Sequence, residues 1–150
     1  LGNYEIAIVS LPLGFVSLAF YKYHKIPSKI FPGDSGALAF GAMYGTIAIV
    51  GGVEIIAAIA LLPAVINSFL FLSSVKRIVE HRQIKGKPVE FTIDSKLKAT
   101  NDKAAPVTLV RLILANGPLS EKQVGVAIFK LGIFSGTLSV ITAFMMGVSL

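Results

Sequence analysis

Asp34 is the acid best placed for chemistry in this chain. It closes the run Lys29-Ile30-Phe31-Pro32-Gly33-Asp34, and the next charge is Glu54, so residues 35–53 form an uncharged stretch long enough to cross a membrane as a helix. The Pro-Gly turn sets the carboxylate at the mouth of that helix, at the boundary between water and membrane. An acid there can cap the helix, bind a cation, or do both. Asn67 stands inside another apolar stretch, four residues after Pro63. An amide in hydrocarbon needs a partner in the bundle interior, and an interhelical hydrogen bond meets that need as well as a substrate would. His81-Arg82 follows the same stretch. Arginine grips phosphate with a two-pronged fork that lysine lacks, although a basic helix end beside a span also serves plainly as a topology signal. Cation binding and phosphate binding are therefore the chemistries these residue types offer.

The elements that must position them are membrane helices. The 150 residues are 54% hydrophobic and 15% charged, with mean hydropathy +0.77, whereas soluble domains carry about a quarter charged residues. The fold class expected is an all-α polytopic membrane protein. About four transmembrane helices are expected, over residues 5–22, 35–53, 55–76 and 124–149, with a cytoplasmic loop over 77–105. A short apolar segment, 106–118, carries Arg111 in its middle and suits an interfacial or re-entrant helix better than a span. Net charge is +6, but the bases cluster in the gaps between apolar runs, which excludes the spread basic face of a nucleic-acid binder. The absence of cysteine excludes disulfides and thiolate chemistry. The sequence opens on Leu1, almost directly in an apolar run and without a basic leader, and reads as the C-terminal part of something longer.

Basic residues orient the spans. Lys22, Lys25 and Lys29 lie between the first two. Lys76, Arg77, Arg82, Lys85, Lys87, Lys96, Lys98 and Lys103 follow the third, and Lys122 precedes the last. The opposite side has only Glu5 and Glu54, so the N-terminus faces outside and Asp34 shares the cytoplasmic side with the large basic loop. Lys130 can snorkel to that side. Ala37, Gly41 and Gly45, and again Gly132 and Gly136, make small-residue stripes that suit helix packing. Pro12, Gly14 and Pro63 predict local bends. In the loop, Val89-Glu90-Phe91-Thr92-Ile93-Asp94 alternates with period two, Asp94-Ser95 can turn, and residues 97–100 can return, which predicts a small hairpin.

The run from Tyr21 to Asp34, with its Pro27-Ser28-Lys29-Ile30-Phe31-Pro32-Gly33-Asp34 core, resembles the segment that opens a transmembrane helix in polyprenyl-phosphate N-acetylhexosamine-1-phosphate transferases, glycosyltransferase family 4. The likeness is closest to the archaeal and eukaryotic type, the UDP-N-acetylglucosamine–dolichyl-phosphate N-acetylglucosaminephosphotransferases. Pro63 to Asn67, His81-Arg82 and Gly117-Pro118-Leu119-Ser120-Glu121 agree in order. Two departures stand out. Gln83-Ile84-Lys85-Gly86-Lys87-Pro88 follows the His-Arg pair where the eukaryotic type has Pro and a second Arg close by, and the histidine cluster of the bacterial muramoyl-pentapeptide branch is absent.

The resemblance implies transfer of a sugar 1-phosphate from a UDP-N-acetylhexosamine to a polyprenyl or dolichyl phosphate, with release of UMP. It implies Asp34 as the catalytic aspartate and ligand of Mg²⁺, with Mn²⁺ as an alternative, and Lys29, Asn67, His81 and Arg82 as substrate-binding residues. The implied setting is an archaeal plasma membrane or the endoplasmic reticulum, with the active-site loops facing the cytoplasm; a homodimer is compatible with it and a nucleic-acid partner is not. The family's paired aspartates and Asn-x-x-Asp region precede the part seen here, so residues 1–150 are expected to be the C-terminal portion of one multi-span transferase domain, inactive alone. The alternative is a non-catalytic membrane subunit or transporter fragment, in which Asp34 only caps a helix and the basic loop only sets topology.

Overall fold

A computed structural model describes residues 3–75, 86–102 and 104–147. The elements in chain order are helices α1 (Asn3–His24), α2 (Gly33–Gly51), α3 (Glu54–Ala60) and α4 (Leu62–Val75), strands β1 (Val89–Phe91) and β2 (Leu97–Ala99), the short helix α5 (Leu109–Ile113) running into a 3₁₀ turn (Leu114–Asn116), and helix α6 (Glu121–Met145). The chain divides into two compact units, one of Leu1–Ile59 with Leu138–Leu150 and the other of Ala60–Thr137.

In the first unit α1 runs through Pro12 without interruption and ends with Lys22 in its last turn, where a cation complements the helix dipole. It packs along α2. Two glycines punctuate α2. Gly33 (φ 63°) lets the chain turn into the helix, and Gly52 (φ 62°) takes the left-handed conformation that ends it. At that end the amides of Gly52 and Val53 donate to the carbonyls of Ile49 and Ala48, at 3.1 and 3.0 Å. The Tyr44 hydroxyl donates to the Ala57 carbonyl (2.8 Å) and Ser139 to that of Ile56 (2.9 Å), so α2, α3 and the end of α6 are tied by side-chain bonds to backbone.

The expected third span is not one continuous helix. It breaks at Leu61 into α3 and α4. Pro63 has no amide hydrogen, and the next amide, that of Ala64, turns back to Leu61 (2.9 Å) instead of reaching Ala60. The Ala60 carbonyl thus released accepts a hydrogen bond from the buried Ser135 hydroxyl (3.0 Å), within the second unit.

The remainder of the second unit lies between α4 and α6 in sequence. β1 and β2 pair antiparallel, Val89 against Ala99 and Phe91 against Leu97, so the hairpin forms with shorter strands than the alternating pattern suggests. Ser95 turns it with φ 56°. Leu97 also pairs with Leu119, whose amide and carbonyl both bond to it (2.9 and 2.8 Å). Segment 106–118 is too short to span: Thr108 caps α5 by accepting from the Arg111 amide (3.2 Å), and the helix lasts five residues.

Among the described residues two helices, over Tyr4–His24 and Glu121–Met145, are long and apolar enough to cross a membrane, and α3 with α4 would make a third if they act as one broken span. The last begins at Glu121 and so takes in Lys122, ahead of the expected start at 124. α2, a helix of 19 residues, is not among these candidates. A Cβ placed on Gly41, Gly45, Gly132 or Gly136 would meet no described atom within 4 Å, so neither small-residue stripe serves close packing within the described residues.

Candidate functional site

Asp34 sits in the first turn of α2. The residue that caps the helix is Pro32, whose backbone (φ −67°, ψ −22°) is already helical, and no side chain caps it. The Gly36 amide donates to the Pro32 carbonyl (3.2 Å), so the helix has begun before the chain reaches Asp34. Asp34 is the second residue of α2, past the cap position, and its carboxylate makes no capping bond. Asp34 is exposed and makes no hydrogen bond or ion pair among the described residues. It still benefits from the positive end of the helix dipole.

The connection before it is built tightly. The His24 ring stacks on Phe20 (centroids 5.1 Å apart) and meets the Phe31 ring edge-on (5.7 Å). Its Nδ1 lies 3.0 Å from the Ile30 carbonyl; that oxygen can only accept, so Nδ1 carries the proton. The Ser28 hydroxyl donates to the same carbonyl (3.0 Å), and the Lys29 amide donates to the carbonyl of Tyr23 (2.9 Å). The turn therefore folds back on the end of α1, with Lys29 exposed and five residues ahead of Asp34. His24 closes this turn together with Ser28, four residues later, a pairing that the sequence alone did not single out.

Asn67 belongs to the second unit. Its Oδ1 accepts from the Leu109 amide (2.8 Å), satisfying one of the open donors at the start of α5. The interhelical hydrogen bond anticipated for an amide in an apolar helix is thus formed. Next to it opens a cavity of about 370 Å³, lined by Ala60, Pro63, Asn67, Leu109, Ile128 and Gly132 among others. Its walls are apolar except for Asn67, which suits a hydrocarbon chain better than a polar ligand. His81 and Arg82 lie outside the described residues.

Arg111 was visible in the sequence, but its bonding was not. Its guanidinium donates to the carbonyls of Ala105 (2.6 Å), Pro106 (3.4 Å), Thr100 (3.2 Å) and Asp102 (2.8 Å). An arginine in an apolar segment must find acceptors, and this one finds them in the loop that precedes it. Thr100 anchors the same region from the hairpin side, donating through its hydroxyl to Glu90 and through its amide to Pro88 (3.2 Å). Gly86 completes it. A Cβ there would lie 2.9 Å from the Ala105 Cα, so only glycine fits.

Among the described residues no three acids and histidines gather as a metal cage. Asp34 alone fits an ion such as magnesium, which takes one or two carboxylates and fills its other positions with water and substrate oxygens.

Apolar helices of membrane-crossing length, joined by polar turns, mark an integral membrane protein. Comparison with known proteins narrows this. Residues 1–52 match the model of glycosyl transferase family 4. Over 144 residues, 94% of its length, the chain is 31% identical to a candidate glycosyltransferase of Methanocaldococcus jannaschii, covering 45% of that protein. Over 140 residues it is 29% identical to a candidate UDP-N-acetylglucosamine–dolichyl-phosphate N-acetylglucosaminephosphotransferase of Saccharolobus solfataricus, covering 40% of it. A phospho-N-acetylmuramoyl-pentapeptide-transferase of Clostridium beijerinckii is 42% identical over 53 residues, which are 35% of this chain and 16% of that protein. No solved structure matches significantly. These likenesses place the chain in glycosyl transferase family 4, the family that its motifs resemble. The chain spans less than half the length of these relatives.

Proposed function

We propose that the protein to which this chain belongs transfers N-acetylglucosamine 1-phosphate, or a related N-acetylhexosamine 1-phosphate, from its UDP-sugar to a polyprenyl or dolichyl phosphate. An oxygen of the lipid phosphate attacks the phosphorus that bears the sugar, the bridging bond of the pyrophosphate breaks, and UMP leaves. The product is a sugar–diphosphate–lipid, the first membrane-bound intermediate of a glycan.

The observation that carries this reading is the uncommitted carboxylate of Asp34 in the first turn of α2, held there by a turn whose own polar groups are occupied. Two phosphate-bearing substrates bring several negative charges together, and a magnesium or manganese ion bound with them supplies the neutralisation and polarises the phosphoryl oxygens. Asp34 would hold that ion together with substrate oxygens and carboxylates outside this chain. Lys29, on the same turn, adds a cation for the phosphates. His81 and Arg82 would grip the nucleotide sugar, Arg82 by its fork. The Asn67 amide nitrogen would face the lipid phosphate or the sugar. The apolar cavity beside Asn67 is matched to a length of the lipid's hydrocarbon chain.

The same reading places four helical passages in the membrane, α3 and α4 counting as one, with the N-terminal end of α1 outside and the turn at Asp34 on the cytoplasmic side with the basic loop. The membrane is an archaeal plasma membrane or the endoplasmic reticulum, and the protein can work as a homodimer.

The test is UMP release from UDP-N-acetylglucosamine by the full-length protein with dolichyl phosphate as acceptor. Asp34→Ala should lower the rate by on the order of a thousandfold, the equivalent of several kcal/mol of lost charge stabilisation, at an unchanged amount of protein in the membrane. Near-normal release from that variant would sink the assignment.

A further inference from the structure

The tip of the hairpin is apolar and bare. Phe91 is 82% exposed and Ile93 101%. Phe91 pairs with Leu97 across the two strands, so both point to one face, while Glu90 and Lys98 form the pair on the other. An aromatic and a branched aliphatic side chain thus stand exposed two residues apart at one turn. The hairpin is firmly rooted, because Thr100 binds Glu90 and Pro88 and the backbone of Leu97 bonds twice to Leu119.

That last contact fixes where the tip is. Leu119 stands two residues before α6, a helix long and apolar enough to cross a membrane. β2 therefore lies beside the start of α6. Leu97 is level with Phe91, and Ile93 lies two residues beyond Phe91, at most about 7 Å at the rise of an extended strand, so the tip stays near the start of α6. Exposed lysines surround it. Lys87 and Lys96 are on the hairpin and Lys122 is at the start of α6, while Lys98 is on the face opposite Phe91; against them stand Asp94 at the turn, Glu121 on the helix, and Glu90, which is engaged by Thr100.

We infer that the hairpin is a membrane-surface anchor: Phe91 and Ile93 enter the boundary between headgroups and acyl chains, and the lysines around them face anionic lipid phosphates. The occupant of this apolar tip is the lipid surface itself. Apolar side chains flanked by lysines are the composition that binds such an interface. The anchor pins the segment between α4 and α6 flat against the membrane, independently of which substrate the protein handles.

The experiment places an environment-sensitive fluorophore at Ile93→Cys on the full-length protein in a cysteine-free background, to which this chain contributes no cysteine, in vesicles of phosphatidylcholine and phosphatidylglycerol. Parallel vesicles carry lipids brominated near the top of the acyl chain. The result expected is emission at shorter wavelength than in water together with quenching by the brominated lipid, and no quenching of a label at Lys98→Cys on the opposite face. Water-like emission at position 93 overturns the inference. So does short-wavelength emission without lipid quenching, which would mean that another part of the protein covers the tip.

Discussion

The turn from α1 into α2 and the loop from Gly86 to Leu119 are both polar connections between apolar helices, and they treat their charges in opposite ways. In the first, His24, Ser28 and backbone amides close the turn, and the carboxylate of Asp34 has no partner among the described residues. In the second, the charged group does the bonding. Arg111 is committed to four carbonyls and shapes the loop. The difference teaches that charge alone does not mark a site. A charge whose bonds are filled is structure, and a charge kept open by neighbours whose bonds are filled is available for a ligand.

The contrast can be broken from the structural side first. Arg111→Ala should cost about 3 kcal/mol in the stability of the loop, because charged hydrogen bonds are lost and several part-buried carbonyls are left without a donor. Limited proteolysis of the full-length protein in membranes would read this as faster cutting between residues 86 and 106. Unchanged cutting would mean that the arginine is not the loop's organiser. Asn67→Ala removes one bond, that to the Leu109 amide, and should cost about 1 kcal/mol, seen as a small fall in Tm; a fall as large as that of Arg111→Ala would contradict the ranking. The smallest effect belongs to Asp34. Since the carboxylate caps nothing, Asp34→Asn should change thermal stability by no more than about 0.5 kcal/mol, the loss of a weak dipole interaction. A loss of about 1 kcal/mol or more, typical of a removed cap, would return Asp34 to a structural role.

The elements legible in the sequence are those with local causes. Period two in residues 89–94 announced the hairpin, and Pro32-Gly33 announced the start of α2. Pro63 announced a bend in the third apolar stretch, but the complete break at Leu61 depends on Ser135, far along the chain, accepting the role of donor to the Ala60 carbonyl. Arg111 was visible as a lone cation in an apolar segment, yet its acceptors are backbone carbonyls, which carry no sequence signal. The candidate site divides in the same way. That an acid stands at the mouth of α2 is plain from spacing. That it is not a cap follows from the helical backbone of Pro32, and a proline adopts helical and extended ψ at the same φ, so the residue type left both outcomes open. The Gly117-Pro118-Leu119 motif gave no hint that Leu119 would pair with the hairpin, because cross-strand partners leave no mark when a single residue does the pairing.

The central claim is that the Asp34 carboxylate is held open for a divalent cation. Its most direct measure is Mn²⁺ binding to the purified full-length protein in the presence of UDP-N-acetylglucosamine, followed by loss of the free-ion signal in electron paramagnetic resonance. Wild type should bind the ion, and Asp34→Asn, equally stable, should bind it at least about tenfold more weakly, since a first ligand should matter no less than the outer partners whose loss costs tenfold or more. Equal binding by the two proteins would contradict the claim.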